Sequence, residues 1–220
     1  MQMTESRLTE WLNQNKRALA GAVAILLVVA IGVGIVRTRA NKRAIEATAA
    51  LYEAELKLEK ELKLVGATPI VDVDRQLAET VSAFKKVSQG FSGQAAAWEA
   101  GFQLAELYSK YEPRSGKAVP AYQAIYEAAP TPREKVFALY SLAYAYEKQG
   151  KFDEAIQKLD QAIGLGQPTL KAELALSRAR LLARSGKSAE ALKAFEQISK
   201  DYANTEFSRK ADQWKTMRTL

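Results

Sequence analysis

The residue types that most often carry catalysis or bind metals are missing from this chain. Its 220 residues include no cysteine and no histidine. Cysteine–histidine nucleophile pairs, serine–histidine–aspartate triads, Cys/His zinc sites and disulfides are therefore excluded. Attachment to a membrane through a lipid-modified cysteine is excluded for the same reason. Any chemistry must come from carboxylates, amines, hydroxyls or backbone groups.

One short sequence, Gly186-Lys187-Ser188, is typical of the end of a phosphate-binding loop. The glycine that such a loop needs five residues earlier is replaced by Leu181, and the segment falls between predicted helices rather than after a strand. Asp153 and Glu154 are adjacent carboxylates, but no apolar pocket is visible around them that would favour acid–base catalysis. We therefore predict a protein that is not an enzyme, with no catalytic residue, cofactor or metal.

The charge pattern argues against nucleic acid as a partner. The formal net charge is +7, but basic and acidic residues are interleaved along most of the chain. A nucleic-acid interface needs a basic patch or stripe instead. The concentrated basic cluster is Arg37, Arg39, Lys42 and Arg43, which directly follows an apolar run and would meet lipid headgroups there.

The apolar run covers 18–36 and contains no charged residue, no amide side chain and no proline. As a helix it would be roughly 28 Å long, close to the thickness of a bilayer hydrocarbon core. We predict a transmembrane helix over 18–36, preceded by a short polar tail, 1–17, with an interfacial helix. A cleaved signal peptide is the main alternative, although the run is longer than the apolar part of most signals. A buried core helix fits less well, because every face of the run is apolar.

The next segment, 37–71, is predicted to be a stalk helix and a connection. Ala47, Leu51, Ala54, Leu58 and Leu62 recur at spacings of three and four, which places them on one helical face. That face packs either on the chain's own next helix or on a partner helix in a coiled coil. Gly66, Thr68 and Pro69 end the helix.

The domain at 72–220 is predicted to be all-α. Its apolar periodicity indicates helices at about 72–89, 94–111, 116–129, 132–149, 152–164, 169–185, 188–200 and 205–218. Thr131, Pro132 and Glu134 predict a capping box at the start of one of them. No segment shows a convincing strand pattern.

The spacing within 136–168 resembles the tetratricopeptide repeat (TPR). The matching residues are Leu139, Leu142, Ala143, Tyr146, Gly150, Phe152, Asp153, Glu154, Ala155, Leu159, Ala162 and Pro168. Two neighbouring units match less well, and the last of them has Arg178 where the repeat is normally apolar. A fourth, weakest unit would pair the stalk helix with 72–89 through Phe84 and Val87. Phe207, Ala211, Trp214 and Met217 suit a capping helix. The resemblance implies a TPR-like α-solenoid of about four helical hairpins plus a C-terminal capping helix.

In that repeat, the first helix of each pair lines a groove. The resemblance therefore implies a peptide-binding groove formed by Glu99, Phe102, Glu106, Phe137, Tyr140, Tyr144, Lys148, Leu176, Arg180 and Arg184. The alternative is that the stalk or the terminal helix covers these rings. The Lys/Asn clamp with which some TPR domains hold a C-terminal carboxylate is not matched, because Tyr140 and Tyr144 occupy two of its positions.

The whole arrangement resembles the ancillary SecYEG translocon subunit (YfgM-like) family of bacterial inner membranes. The similar features are the tail sequence EWLNQNKRALA, one apolar span, a stalk rich in Ala, Glu and Lys, and a degenerate repeat domain. The resemblance implies a single-pass inner-membrane protein with a cytoplasmic N-terminus and a periplasmic domain. Its implied partners are translocon subunits, periplasmic chaperones or exported polypeptides. The alternatives are a scaffold of another envelope complex, in cell division or outer-membrane assembly, and a cytoplasm-facing adaptor.

Overall fold

The computed structural model describes residues 2–113 and 116–218, and its regular structure over those ranges is entirely α-helical. The helices are α1 (Gln2–Val65), α2 (Val73–Gln76), α3 (Ala78–Gly90), α4 (Ala95–Tyr111), α5 (Ala118–Ala128), α6 (Pro132–Lys148), α7 (Phe152–Gly164), α8 (Lys171–Arg184), α9 (Ser188–Asp201) and α10 (Glu206–Arg218). The prediction of an all-α fold is confirmed. The predicted helix at 72–89 is divided at Leu77, whose backbone leaves the helical region.

The chain divides into two compact units, residues 1–46 and 47–220. In the first unit, the aliphatic side chains described from Ile25 to Val36 are exposed, as Leu27 is to 59%. Among the described residues, no helix combines the length and the apolar character needed to cross a membrane. The transmembrane helix predicted at 18–36 is therefore not supported. The side chains of residues 18–20, 23 and 24 lie outside those described.

The part of α1 in the second unit forms the first hairpin of the solenoid. Ala47 and Ala54 are fully buried, and the leucines of the predicted stripe pack on the same core as Phe84. The Glu61 carboxylate accepts hydrogen bonds from the backbone N–H groups of Glu79 (3.1 Å) and Thr80 (2.9 Å). These groups open α3, where Leu77 provides no side-chain cap. The stripe thus packs on the chain's own next helix.

Three further hairpins follow, α4–α5, α6–α7 and α8–α9, and each helix packs on the next. Gly150 (φ 76°) and Gly186 (φ 85°) hold corresponding positions after α6 and α8, where a left-handed backbone ends the helix. The close approach of α6 and α7 depends on buried alanines, including Ala143 and Ala155. The helix pairs therefore have the arrangement that the repeat spacing predicts.

The last helix covers the end of the stack. Ala211 of α10 is fully buried, and the Trp214 ring stacks on Phe195 of α9 with centroids 5.9 Å apart. The Met217 side chain lies outside those described. Together with the four hairpins, α10 gives the predicted capped solenoid.

Two local features depart from the simple repeat pattern. Arg178 stands where the repeat is normally apolar, and its guanidinium pairs with Asp160 of α7 while the neighbouring Ala179 is fully buried. The capping box predicted at Thr131 is not formed. The Thr131 hydroxyl donates to the Glu134 carboxylate, and no side chain caps the backbone there.

Candidate functional site

A groove follows the first helices of the hairpins and consists of three adjoining cavities. The first has a volume of about 690 Å³ and is lined by residues of α1, α4, α5 and α6. The second, about 260 Å³, lies between α6, α7 and α8, and the third, about 340 Å³, lies between α6, α8 and α10. We call the three together the first-helix groove. Its principal side chains are Leu58, Leu62, Glu99, Gln103, Glu106, Tyr140, Tyr144, Lys148, Leu176, Ser177, Arg180 and Trp214.

Tyr140 lines all three cavities. Its hydroxyl lies 3.4 Å from the Glu173 carboxylate and 3.3 Å from the Ser177 hydroxyl, both on α8. The contacts join α6 to α8 and fix the ring between two hairpins. Tyr140 is therefore the residue that makes one continuous surface from three cavities.

Tyr144, one helical turn further along α6, presents an open ring to the groove. Its side chain is 46% exposed, and the Lys148 ammonium lies 4.8 Å from the ring centroid. This distance is within the range of a cation–π interaction. The pair offers a partner both an aromatic face and a positive charge.

Carboxylates line the first cavity at α4. The Gln103 amide donates to the carboxylates of Glu55 (2.7 Å) and Glu99 (3.3 Å). Glu106 lies further along the same helix, and partial burial together with the Glu99 charge raises the pKa of its carboxyl. This end of the groove therefore presents the carboxylates of Glu99 and Glu106 beside the ammonium groups of Lys110 and Lys148.

Seven of the ten predicted groove residues line the first-helix groove, namely Glu99, Glu106, Tyr140, Tyr144, Lys148, Leu176 and Arg180. The Phe102 ring instead stacks on Trp98, with centroids 5.1 Å apart, and meets Tyr122 edge-on at 5.7 Å. These contacts use Phe102 in packing. A role in binding stays a prediction for all ten residues.

The other two predicted residues have local partners. The Arg133 guanidinium covers Phe137, 5.6 Å from its centroid. Arg184 pairs with the Glu147 carboxylate and lies 5.4 Å over the Phe152 ring. Repeat spacing predicts the helical face on which a residue lies. It does not predict which neighbouring side chain packs against that residue.

The repeat spacing predicts no groove residue on α1 or α10. Leu58 and Leu62 of α1 form part of the first cavity, and Phe207 and Trp214 of α10 form part of the third. The signals were present, since the leucines belong to the stalk stripe and the aromatic rings to the capping helix. Both helices thus contribute walls to the groove, and the Tyr144 ring stays exposed.

A second polar network lies outside the groove and joins α2 to the end of α4. The Asp74 carboxylate accepts hydrogen bonds from the Tyr108 hydroxyl (2.7 Å) and the Lys117 ammonium (2.9 Å). The Lys117 hydrogen bond is the main reason that the pKa of Asp74 lies below its usual value. Burial, followed by the Asp74 hydrogen bond, raises the pKa of the Tyr108 phenol. We assign this network to structure, because its groups are already paired.

Within the described residues, no group of three carboxylate, histidine or cysteine side chains is placed to hold a metal ion. The first-helix groove supplies aromatic faces, aliphatic side chains and charges of both signs on a rigid helical support. These groups suit the side chains and backbone of a polypeptide.

A family model described as a tetratricopeptide repeat-like domain matches residues 9–216. This chain is also similar to the crystal structure of a putative kinesin light chain from Podosopora anserina with nearly identical TPR-like repeats, at 17% identity and a TM-score of 0.55, over 79% of this chain and 90% of that one. A form of that protein with one substituted residue matches at 17% identity and a TM-score of 0.54, over 79% and 89%. A comparison with curated proteins gave no match. The structural likeness shows the fold alone.

Proposed function

Because the chain belongs to the tetratricopeptide repeat-like domain family, we propose that it is a non-enzymatic module that binds a polypeptide segment in the first-helix groove. The observation that carries the proposal is the junction of three cavities at Tyr140 beside the open Tyr144 ring. A continuous surface of this kind fits an extended or helical segment better than a small metabolite, which needs an enclosing pocket.

The test compares two equally open positions. Tyr144 in the groove is 46% exposed, and Leu192 on α9 is 44% exposed. A photocrosslinking residue at 144 should capture a defined polypeptide in cells, and one at 192 should not. Addition of Tyr140→Ala to the 144 probe should reduce the capture. Equal capture from both positions would overturn the assignment of the groove.

We propose further that residues 18–36 attach the chain to a bacterial inner membrane, with the N-terminus in the cytoplasm and the domain in the periplasm. Exposed aliphatic side chains from Ile25 to Val36, followed by the basic cluster Arg37, Arg39, Lys42 and Arg43, support attachment to an anionic lipid surface. The orientation comes from the resemblance to the translocon-subunit family. On this proposal the module works near the Sec translocon with periplasmic chaperones that handle exported proteins.

Two experiments test the attachment and the orientation. The protein should stay with membrane vesicles after an alkaline wash, and release would contradict attachment. Single cysteines introduced at Ser6 and at Ala203 should differ in their labelling by an impermeant thiol reagent that is added to intact spheroplasts. Labelling at 203 alone fits a periplasmic domain, and labelling at 6 alone contradicts it. Co-purification with translocon subunits or chaperones in mild detergent tests the proposed partners.

A second candidate function is a scaffold of another envelope complex. It is favoured by an apolar cavity of about 430 Å³ between α3, α4 and α5, lined by Trp98, Ala124 and Ile125 among others. A scaffold needs more than one contact surface, and this cavity lies apart from the first-helix groove. Ala124 is exposed, so Ala124→Glu should release a stable assembly partner without unfolding the domain if the scaffold function holds, whereas Tyr140→Ala should not.

A further inference from the structure

The first-helix groove carries an unpaired anionic group at its α4 end. The carboxylate of Glu106 accepts no hydrogen bond and forms no ion pair with a residue that the structure describes, although two cations line the same cavity. The Lys110 ammonium lies over Tyr111, 4.9 Å from the centroid, and that of Lys148 lies over Tyr144. Partial burial and the neighbouring Glu99 raise the pKa of the Glu106 carboxyl, and the Lys110 charge offsets only part of this shift.

Arg180 is the corresponding cation where the second and third cavities meet. The carboxylates that share these cavities already have partners in the fold. Glu147 pairs with Arg184, Glu206 pairs with Lys210 at 3.0 Å, and Glu173 lies at the Tyr140 hydroxyl. Over the described ranges, the guanidinium of Arg180 forms neither an ion pair nor a hydrogen bond. Its side chain is exposed to whatever enters the groove.

The surface between these two charges includes two aromatic rings, together with the Lys148 ammonium and the Ser177 hydroxyl. Tyr144 and Tyr140 follow Glu106 along the groove, and Leu176 lies one turn before Arg180 on α8. A ligand that reaches both charges crosses the rings of Tyr144 and Tyr140, which an apolar side chain can cover. Glu106 and Arg180 thus present opposite charges at two separate places along the groove.

We propose that the groove selects extended polypeptide segments with a Lys or Arg side chain at Glu99 and Glu106, an apolar residue over Tyr144 and Tyr140, and a carboxylate at Arg180. The inference rests on the proposed function and adds the chemistry of the ligand. Charge complementarity carries it, because Glu106 and Arg180 form no ion pair with any residue that the structure describes, whereas neighbouring charges are paired. A segment with only one of the charges leaves the other group uncompensated.

The test uses the full-length protein in detergent micelles and end-blocked fluorescent peptides. One series contains a lysine and an aspartate flanking leucine and phenylalanine at varied separation, and matched peptides replace Lys by Gln or Asp by Asn. At the best separation, each neutral replacement should weaken binding about fivefold, the size expected for a partly exposed ion pair. The difference should shrink at high salt.

Two variants assign each charge to its residue. Glu106→Gln should abolish the preference for Lys over Gln and keep the preference for Asp over Asn, and Arg180→Gln should do the reverse. The matched controls are Glu154→Gln on α7 and Arg209→Gln on α10, which are exposed and do not line the groove. Equal effects of the controls would show a general charge effect and overturn the inference.

Tyr144→Ala separates a failure of this inference from a failure of the proposed function. If peptides bind without charge preference and Tyr144→Ala weakens them, the polarity is wrong and the binding groove stands. If no peptide binds and the 144 photocrosslink captures no polypeptide, the proposed function fails. If the preferences follow Glu106 and Arg180, both hold.

Discussion

Two stretches of α1 differ in the burial of their apolar side chains. From Ile25 to Val36 the described aliphatic side chains of α1 are exposed, whereas from Ala47 onward a stripe of alanine and leucine packs on the solenoid core. Both stretches favour a helix, so helix propensity does not distinguish them. The difference lies in the placement of charged residues, which flank the buried stripe and are absent from the exposed run. Apolar residues confined to one face pack that face on the chain's own core, whereas a run that is apolar on every face requires a larger apolar environment.

The largest expected effect comes from removing a core ring. Phe84 is fully buried against the first hairpin, whereas Leu27 is 59% exposed. Phe84→Ala should lower the free energy of unfolding by about 3–5 kcal/mol, because it leaves a cavity. Leu27→Ala should change it by less than about 0.5 kcal/mol. Urea titration followed by circular dichroism measures both, and similar values would remove the contrast between the stretches.

A glycine pair tests the same contrast with a change that adds atoms. A Cβ at Gly101 would lie 2.3 Å from the Ile125 Cδ1 atom, whereas a Cβ at Gly32 would have no neighbour within 4 Å. Gly101→Val should destabilise the domain by about 1–3 kcal/mol, because Ile125 must move in a packed core. Gly32→Val serves as the control and should leave thermal unfolding unchanged. A stable Gly101→Val protein would mean that the α4–α5 contact is loose.

The capping contact of Glu61 should have a moderate effect. Glu61→Gln keeps the shape of the side chain but removes the charge that accepts two backbone N–H groups of α3. The expected loss is about 1 kcal/mol, typical of a helix cap. Hydrogen exchange at the Glu79 and Thr80 amides should accelerate. Glu59→Gln, whose carboxylate contacts the exposed Lys63, is the control and should leave both amides protected.

The smallest effect concerns the acid side of the stability profile. The Lys117 hydrogen bond first, and that of Tyr108, hold the pKa of Asp74 below its usual value in the folded state. The resulting stabilisation is complete above the unfolded pKa of about 3.9 and is lost as the pH falls through the lower folded pKa. Asp74→Asn should reduce the change of the urea unfolding midpoint with pH over this acidic range. Asp201→Asn is the control, and an unaltered slope in Asp74→Asn would contradict the assignment.

Much of the fold follows from local patterns. From residue 94 onward, each predicted helix boundary lies within two residues of the observed one. Glycine and proline punctuation and one-sided apolar periodicity set these boundaries, and both are local properties. The break at Leu77 was not predictable in this way, because the backbone groups of Glu79 and Thr80 that follow it bind Glu61, which belongs to another helix.

The candidate site was predictable in outline but not in detail. Repeat spacing identified Tyr140, Tyr144 and Arg180, whose positions depend on the first helices alone. Repeat spacing did not indicate that Phe102 packs against Tyr122, because Tyr122 belongs to a second helix. It also gave no means to assign α1 and α10 as walls, because their contacts join segments far apart in the chain.

A single phenol ring bounding three cavities has a consequence for occupancy. Short ligands at opposite ends of the groove would share Tyr140 as a common wall, so displacement of the ring by one would reshape the space left for the other. Their affinities should then be linked in either direction, and by the same factor whichever ligand is added first. The binding of two ligands that share this ring as a wall is therefore thermodynamically coupled.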